Sequence, residues 1–173
     1  MPVVYSLAAD DGYIRSQGTA SFLAARNALS GTSVNSSATN YSVGIYAVRG
    51  TGRGGGYIYV VTRSFFLFDT SSVATVASAD LKIYGRTYTT GDIIAVQATS
   101  GSGLGVGDFD AITGWNNSGD QEGNVEKYSD EITSWGSGYQ TIPLNAGAVS
   151  KINTGSINIC LLNYDYDLKG VDP

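Results

Sequence analysis

The chain has 173 residues, which suits one domain long enough to bury roughly two thirds of its unfolded surface. It contains 23 Gly and 12 Tyr but only 14% charged residues, against about 25% in an ordinary globular protein. This composition is typical of an all-β domain with many turns and argues against a helical enzyme. The net charge is -5 and no run of Lys or Arg occurs, so a nucleic-acid partner is not expected.

The first forty residues predict short strands separated by polar turns. Residues 3–8 are expected to form a first strand, residues 10–12 a tight Asp-Asp-Gly turn, and residues 13–16 a second extended piece. Residues 22–27 predict a third short strand, although their alanines would also tolerate a helical turn. Residues 30–40 are rich in Ser, Thr and Asn, so we expect an exposed loop there.

The middle of the chain predicts the strands around which the rest is arranged. Residues 41–49 alternate between apolar and polar side chains, and a glycine-rich tip separates them from a strand that begins at Tyr57. That strand continues through Phe66 and Phe68, which point to one face, and Phe65, which points to the other. A strand that is apolar on both faces belongs at the centre of a core.

A second strand follows after a connection of small polar residues, from 70 to 78. In this strand Leu81 and Ile83 share one face. Together with Phe66 and Phe68, these two residues are the predicted structural core.

The second half predicts further strands and little helix. Strands are expected at residues 92–98, 139–144 and 156–164, a single helical turn at 108–112 and a short helix at 146–152. About eight to ten short strands in one domain over residues 1–173 predict an all-β fold. We expect an antiparallel β-sandwich or jelly roll with long polar loops.

Two segments of the chain resemble a known family. Residues 63–72, RSFFLFDTSS, and 79–85, ADLKIYG, are similar to the centre of DNRLRE-type jelly-roll domains and their relatives in phage and marine viral structural proteins. The similarity extends to DGYIR at 11–15, LNAGAV at 144–149 and NYDYDL at 163–168. The resemblance implies a jelly roll used as a virion fibre or decoration protein, or as a module beside carbohydrate-active enzymes.

The end of the chain departs from that family pattern. Family members usually continue with a further strand after the Asp-rich loop, whereas this sequence stops at Pro173. We therefore expect either that residues 3–8 close the sheet or that a sheet edge stays open for a neighbouring subunit. An open edge is a template for strand pairing.

Catalytic residue sets are absent from the sequence. There is no His, and the single Cys160 lies in an apolar strand pattern, which predicts a buried structural thiol. The glycine-rich residues 100–107 are not followed by a Gly-Lys-Ser/Thr motif or a helix pattern, which argues against a phosphate loop. The sequence therefore predicts a non-catalytic protein.

Acidic residues offer two further hypotheses, each with a simpler alternative. Four aspartates, Asp10, Asp11, Asp165 and Asp167, are candidate ligands for a structural Ca²⁺ ion, because this ion prefers carboxylate oxygens. Solvated loop acids are the alternative, and no other cofactor is expected. A glycosidase-like pair drawn from Asp108, Asp110, Glu122 and Glu126 is a weaker hypothesis, since two such acids need a set separation.

Aromatic residues in polar loops suggest sugar binding. Trp115, Trp135 and Tyr139 lie among Gly, Asn and Ser, where exposed rings can stack on sugar faces. Packing of these rings beneath the loops is the alternative interpretation.

These observations favour a virion structural protein, either a capsid decoration protein or a fibre component of the head or tail. The expected partners are other virion subunits or copies of the chain itself. The alternatives are a carbohydrate-binding module that captures a cell-surface glycan, and a self-assembling surface filament subunit that pairs through an open sheet edge. Neither a standard export signal nor a membrane span is evident in the sequence. We therefore expect assembly into the virion in the host cytoplasm, or an extracellular location as part of a longer secreted protein.

Overall fold

The computed structural model describes residues 3–7, 10–18, 20–36, 42–50, 56–85 and 92–173. Strands account for 38% of this structure and helices for 13%, so the chain is all-β, as predicted. All strand pairs are antiparallel. Within these ranges no helix combines the length and the apolar character needed to cross a membrane.

The described part of the chain contains eight strands and two α-helices. In chain order they are β1 (Gly12–Gly18), α1 (Phe22–Arg26), β2 (Ser33–Asn35), β3 (Gly44–Arg49), β4 (Tyr57–Asp69), β5 (Asp80–Gly85), β6 (Ile93–Gln97), β7 (Gly138–Pro143), α2 (Ala146–Ile152) and β8 (Ser156–Asn163). A 3₁₀ turn at Val106–Asp108 and a π-helical turn at Tyr164–Leu168 complete the set.

Strand β4 is the centre of the larger sheet, whose order is β2-β1-β4-β8-β6, with β3 also beside β4. Strand β1 pairs with β4 from Tyr59 to Phe65. On the opposite edge, β3 pairs with β4 as far as Thr62, and β8 takes over from Ser64. This 13-residue strand therefore lies inside the sheet. Its two apolar faces predict such a central position, because a strand there is covered on both sides.

Each face of the larger sheet has its own core. Phe65 lies in the first core with Ile14, Cys160 and Leu162, beneath α1 and the loop that contains Phe109. On the other face, the second core joins β4, β6 and β8 to α2 and to a separate two-stranded sheet, β5-β7. The predicted core residues all lie in or against this second core: Phe66, Phe68, Leu81 and Ile83.

The burial of Cys160 is confirmed. Its side chain faces the first core from β8. Burial raises the pKa of this thiol well above its ordinary value, which suppresses the reactive thiolate.

Three local predictions were wrong. Residues 3–7 form no strand, although the Leu7 amide donates to the Leu67 carbonyl. Residues 22–26 form helix α1 instead of a strand, because the Ser21 side chain accepts from the Ala24 amide and caps the first turn. The predicted loop at 30–40 contains the three-residue strand β2. This strand lies at the edge of the sheet and pairs with β1 alone, so it forms without an apolar sequence pattern.

Candidate functional site

The two-stranded sheet turns one face to solvent, which we call the β5–β7 outer face. Burial alternates along both strands, so Leu81 and Ile142 point into the second core. The exposed positions between them form the outer face: Asp80, Lys82, Tyr84, Tyr139, Thr141 and Pro143.

Two tyrosines dominate this outer face. Tyr84 and Tyr139 lie directly opposite each other, with ring centroids 5.3 Å apart at an interplanar angle of 89°. Their residues are 64% and 77% exposed, so this edge-to-face pair leaves most of its surface available for contact. Exposed tyrosines of this kind favour either a protein contact or a sugar contact.

The outer edges of both strands are open within the described structure. Apart from the pairing of β5 with β7, no backbone hydrogen bond from another described segment reaches residues 80–85 or 138–142. At one end of β7 stands Pro143, which has no N–H to offer. The more complete open edge is therefore that of β5.

A buried charge network lies beneath the opposite face of the larger sheet. Arg63 shares the first-core side of β4 with Phe65 and is fully buried. Its guanidinium donates to both carboxylate oxygens of Asp167, at 2.8 and 2.7 Å, and to the carbonyls of Phe109 and Arg26. This bidentate pair ties β4 to the Tyr164–Leu168 turn.

Arg26 adds a second buried guanidinium to the same network. It donates to the backbone carbonyls of Asp167 and Leu168 and to the Asn27 side chain. Burial lowers the pKa of Arg26, the charge of Asp167 opposes this effect, Arg63 reinforces it, and Asp120 opposes it more weakly. The Asp167 carboxylate thus lies beside two guanidinium groups, and backbone carbonyls and ring faces add to their stabilisation.

Trp115 supplies the principal ring face. The Cζ atoms of Arg63 and Arg26 lie 4.1 and 4.9 Å from the Trp115 ring centroid, and the indole N–H donates to Asn117. This ring is therefore engaged by the buried network. It cannot offer that face to a sugar without losing the cation–π contacts.

The three predicted sugar-stacking residues do not form one platform. Trp115 packs against the first core and Trp135 against the second. Gly85 makes room for the Trp135 indole, since a Cβ atom at this glycine would lie 2.7 Å from Nε1. Tyr139 is the exposed member, and its neighbour is Tyr84.

The four predicted calcium ligands are also dispersed among different partners. Asp10 accepts from the Gly103 amide, and the buried Asp11 accepts from the Leu67 amide. Asp167 is held by Arg63, while Asp165 lies 3.6 Å from the Lys169 ammonium.

Asp165 instead meets two other acids. Ligand oxygens of Asp92, Glu131 and Asp165 lie within 4.8 Å of one another, close enough to share a hard cation of the Ca²⁺ type. Loss of solvation, followed by the charges of Asp92 and Asp165, raises the pKa of the exposed Glu131. Exposed acids often cluster in this way without a cation.

The acids considered as a hydrolytic pair have separate local roles. Asp108 accepts from the Gly105 amide and Asp110 from Asn117. Glu122 accepts from the Tyr164 hydroxyl at 2.6 Å, which raises the pKa of that tyrosine to about 12. These contacts stabilise loops.

Two features of these sites were absent from the sequence predictions. Tyr84 points to the same side of β5 as Asp80 and Lys82. Because side chains alternate along a strand, these charged residues would have placed Tyr84 on a surface. The pairing of Arg63 with Asp167 joins residues 104 positions apart, and no local pattern predicts it.

No family model matches the chain, and no curated protein matches it.

Proposed function

We propose that this chain is a non-catalytic structural component of a virion, a capsid decoration protein or a head or tail fibre component. The observation that carries the proposal is the open edge of β5 beside the exposed Tyr84–Tyr139 pair. An unpaired strand edge invites a further strand, and tyrosine adds contact area at little entropic cost. The virion assignment itself rests on the sequence resemblance.

The same proposal includes the jelly-roll architecture that the resemblance implies. Its support is the layered arrangement of the larger sheet, the second core and the β5-β7 sheet. In this architecture the two-stranded sheet is the layer that faces neighbouring subunits, and the chain assembles into the particle in the host cytoplasm.

Light scattering coupled to gel filtration tests this function. We expect the purified chain to form an assembly of two or more copies, with the same mass in Ca²⁺ and in chelator. A monomer at every concentration, in both conditions, would contradict a role through contacts between copies of the chain.

A second candidate function is capture of a neutral glycan on the β5–β7 outer face, which the exposure of Tyr84 and Tyr139 favours. A glycan array tests this candidate. If it is right, the chain binds a glycan, Tyr139→Ala abolishes the binding, and the control Tyr166→Ala keeps it, because Tyr166 lies outside this face. Binding that survives Tyr139→Ala would exclude this surface as the sugar site.

A further inference from the structure

We propose that the partner of the β5 edge is the β5 edge of a second copy, paired antiparallel about a two-fold axis at Leu81. This inference rests on the proposed function, because it identifies the partner of the same open edge. Three features of β5 support it: the backbone groups that point to its open edge, the charges along that edge, and the apolar residues on its buried side.

The alternation of hydrogen bonds along β5 shows which of its backbone groups have no partner in the described part of the chain. The Leu144 amide donates to the Ala79 carbonyl at 3.0 Å, and Asp80 lies opposite Pro143, which has no N–H. Hydrogen-bonded and non-bonded pairs alternate along an antiparallel ladder. The N–H and C=O groups of Asp80, Lys82 and Tyr84 therefore point to the open edge.

The charges on this edge favour a register centred on Leu81 over those centred on Asp80 or Lys82. With the axis at Leu81, Asp80 of each copy faces Lys82 of the other, and both residues present free backbone groups. Moving the axis to Lys82 places Lys82 opposite Lys82, and moving it to Asp80 places Asp80 opposite Asp80. Like charges directly opposite destabilise a strand pair, whereas opposite charges stabilise it.

The buried side of the strand fits the same register. Leu81 meets Leu81 of the second copy, and Ile83 meets Ala79, so apolar residues that pack on the second core continue across the axis. The equivalent edge of β7 lacks one donor at Pro143. A second copy is thus the partner whose charges and apolar residues match β5.

Charge reversal tests this pairing. In Asp80→Lys, two repulsive Lys–Lys pairs replace two attractive pairs, and Lys82→Asp creates two Asp–Asp pairs. We expect each single variant to weaken self-association by about tenfold or more. A mixture of the two variants should form a 1:1 heterodimer, because every cross-strand pair is then opposite in sign, and the double variant Asp80→Lys/Lys82→Asp should self-associate again.

Sedimentation velocity measures these associations, and circular dichroism checks that each variant is folded. Asp130→Lys and Lys151→Asp are matched controls, since both residues are exposed and lie outside the β5–β7 sheet; we expect both to associate as the wild type does.

The outcomes separate this inference from the proposed function. If the wild type assembles and the single variants assemble equally well, with no preference for each other, the β5 pairing is overturned and assembly through another surface stands. If the folded wild type is monomeric throughout, both fail. Restoration by mixing or by the double variant supports the pairing at Leu81.

Discussion

At the scale of single residues, the main structural feature is the pair of buried guanidinium groups, Arg26 and Arg63, beside Asp167. This carboxylate is the acidic partner of Arg63, and its backbone carbonyl accepts from Arg26. Removing one partner from a buried ionic network leaves the remaining charges uncompensated, which is far more destabilising than the loss of a surface pair. Asp167 therefore fixes the C-terminal turn to the central strand.

We expect Asp167→Asn to lower the free energy of unfolding by about 3–5 kcal/mol. The amide keeps a hydrogen-bond acceptor but removes the one side-chain negative charge that Arg63 contacts among the described residues. Urea unfolding followed by tryptophan fluorescence measures the change, and it also reports on Trp115, which stacks on both arginines. The exposed Asp130→Asn control should change stability by less than about 0.5 kcal/mol, and an equally small effect at Asp167 would refute this role.

A sequence pattern could have indicated half of this network, although it was not among the predictions. The alternation along β4 places Arg63 on the same face as Phe65, so an arginine in this phase must be buried and must find partners. Asp167 was instead grouped with loop acids as a calcium ligand, because its burial depends on a turn that packs from the far end of the chain. Local patterns carry no information on such a contact.

At the scale of secondary-structure elements, Asp11 completes an edge that β1 leaves open. Pairing of β1 with β4 ends where Gly12 faces Phe65. Beyond that point the Leu67 amide donates to the Asp11 carboxylate at 3.0 Å, and the Leu67 carbonyl accepts from Leu7. A side chain and one backbone amide thus replace the missing strand neighbour.

This arrangement makes stability depend on pH. Burial raises the pKa of Asp11, and the hydrogen bonds from Ser6 and Leu67 only partly oppose it. The folded chain therefore binds more protons than the unfolded chain, so the Asp11 contribution to stability falls as pH rises from the ordinary aspartate pKa of about 4 through the raised folded value.

Asp11→Asn removes the buried charge and retains an acceptor for Leu67. We expect it to be more stable than wild type at neutral pH, and this advantage should disappear below about pH 3, where Asp11 is protonated in both states. Thermal unfolding across this pH range measures the difference. Asp11→Ala should lose about 1–3 kcal/mol below about pH 3, because it leaves the Leu67 N–H without an acceptor, and less than this at neutral pH, where it also removes the buried charge. An advantage of Asp11→Asn that does not change with pH would contradict this role of Asp11.

The accuracy of the element predictions follows from the strength of each pattern. Strands β4, β6 and β8 are nearly continuous apolar runs, in which alternate residues point to opposite faces, and all three were predicted. The errors at α1 and β2 arise in short segments, where a single cap or a single neighbouring strand decides the structure. The pairing of β5 with β7 links residues 80 and 143, and alternation alone does not choose a strand's neighbour.

At the scale of the whole molecule, the two sheets differ in how completely they are enclosed. The central strands of the larger sheet, β4 and β8, are covered by a core on each face, whereas the β5-β7 sheet packs only its inner face and presents tyrosines and charges outward. This asymmetry is the physical basis for proposing an assembly protein. The outer face and edge of β5 are a place in the described structure where a second chain would add both hydrogen bonds and contact area.

Residue-resolved amide hydrogen exchange, measured over a wide range of protein concentration, tests this claim most directly. We expect exchange at Asp80 and Lys82 to slow as concentration rises, because their N–H groups become hydrogen-bonded to the second copy. The amides of Leu81 and Ile83, already directed toward β7, should not change in the same way. Exchange at Asp80 and Lys82 that stays fast at every concentration would contradict assembly through β5.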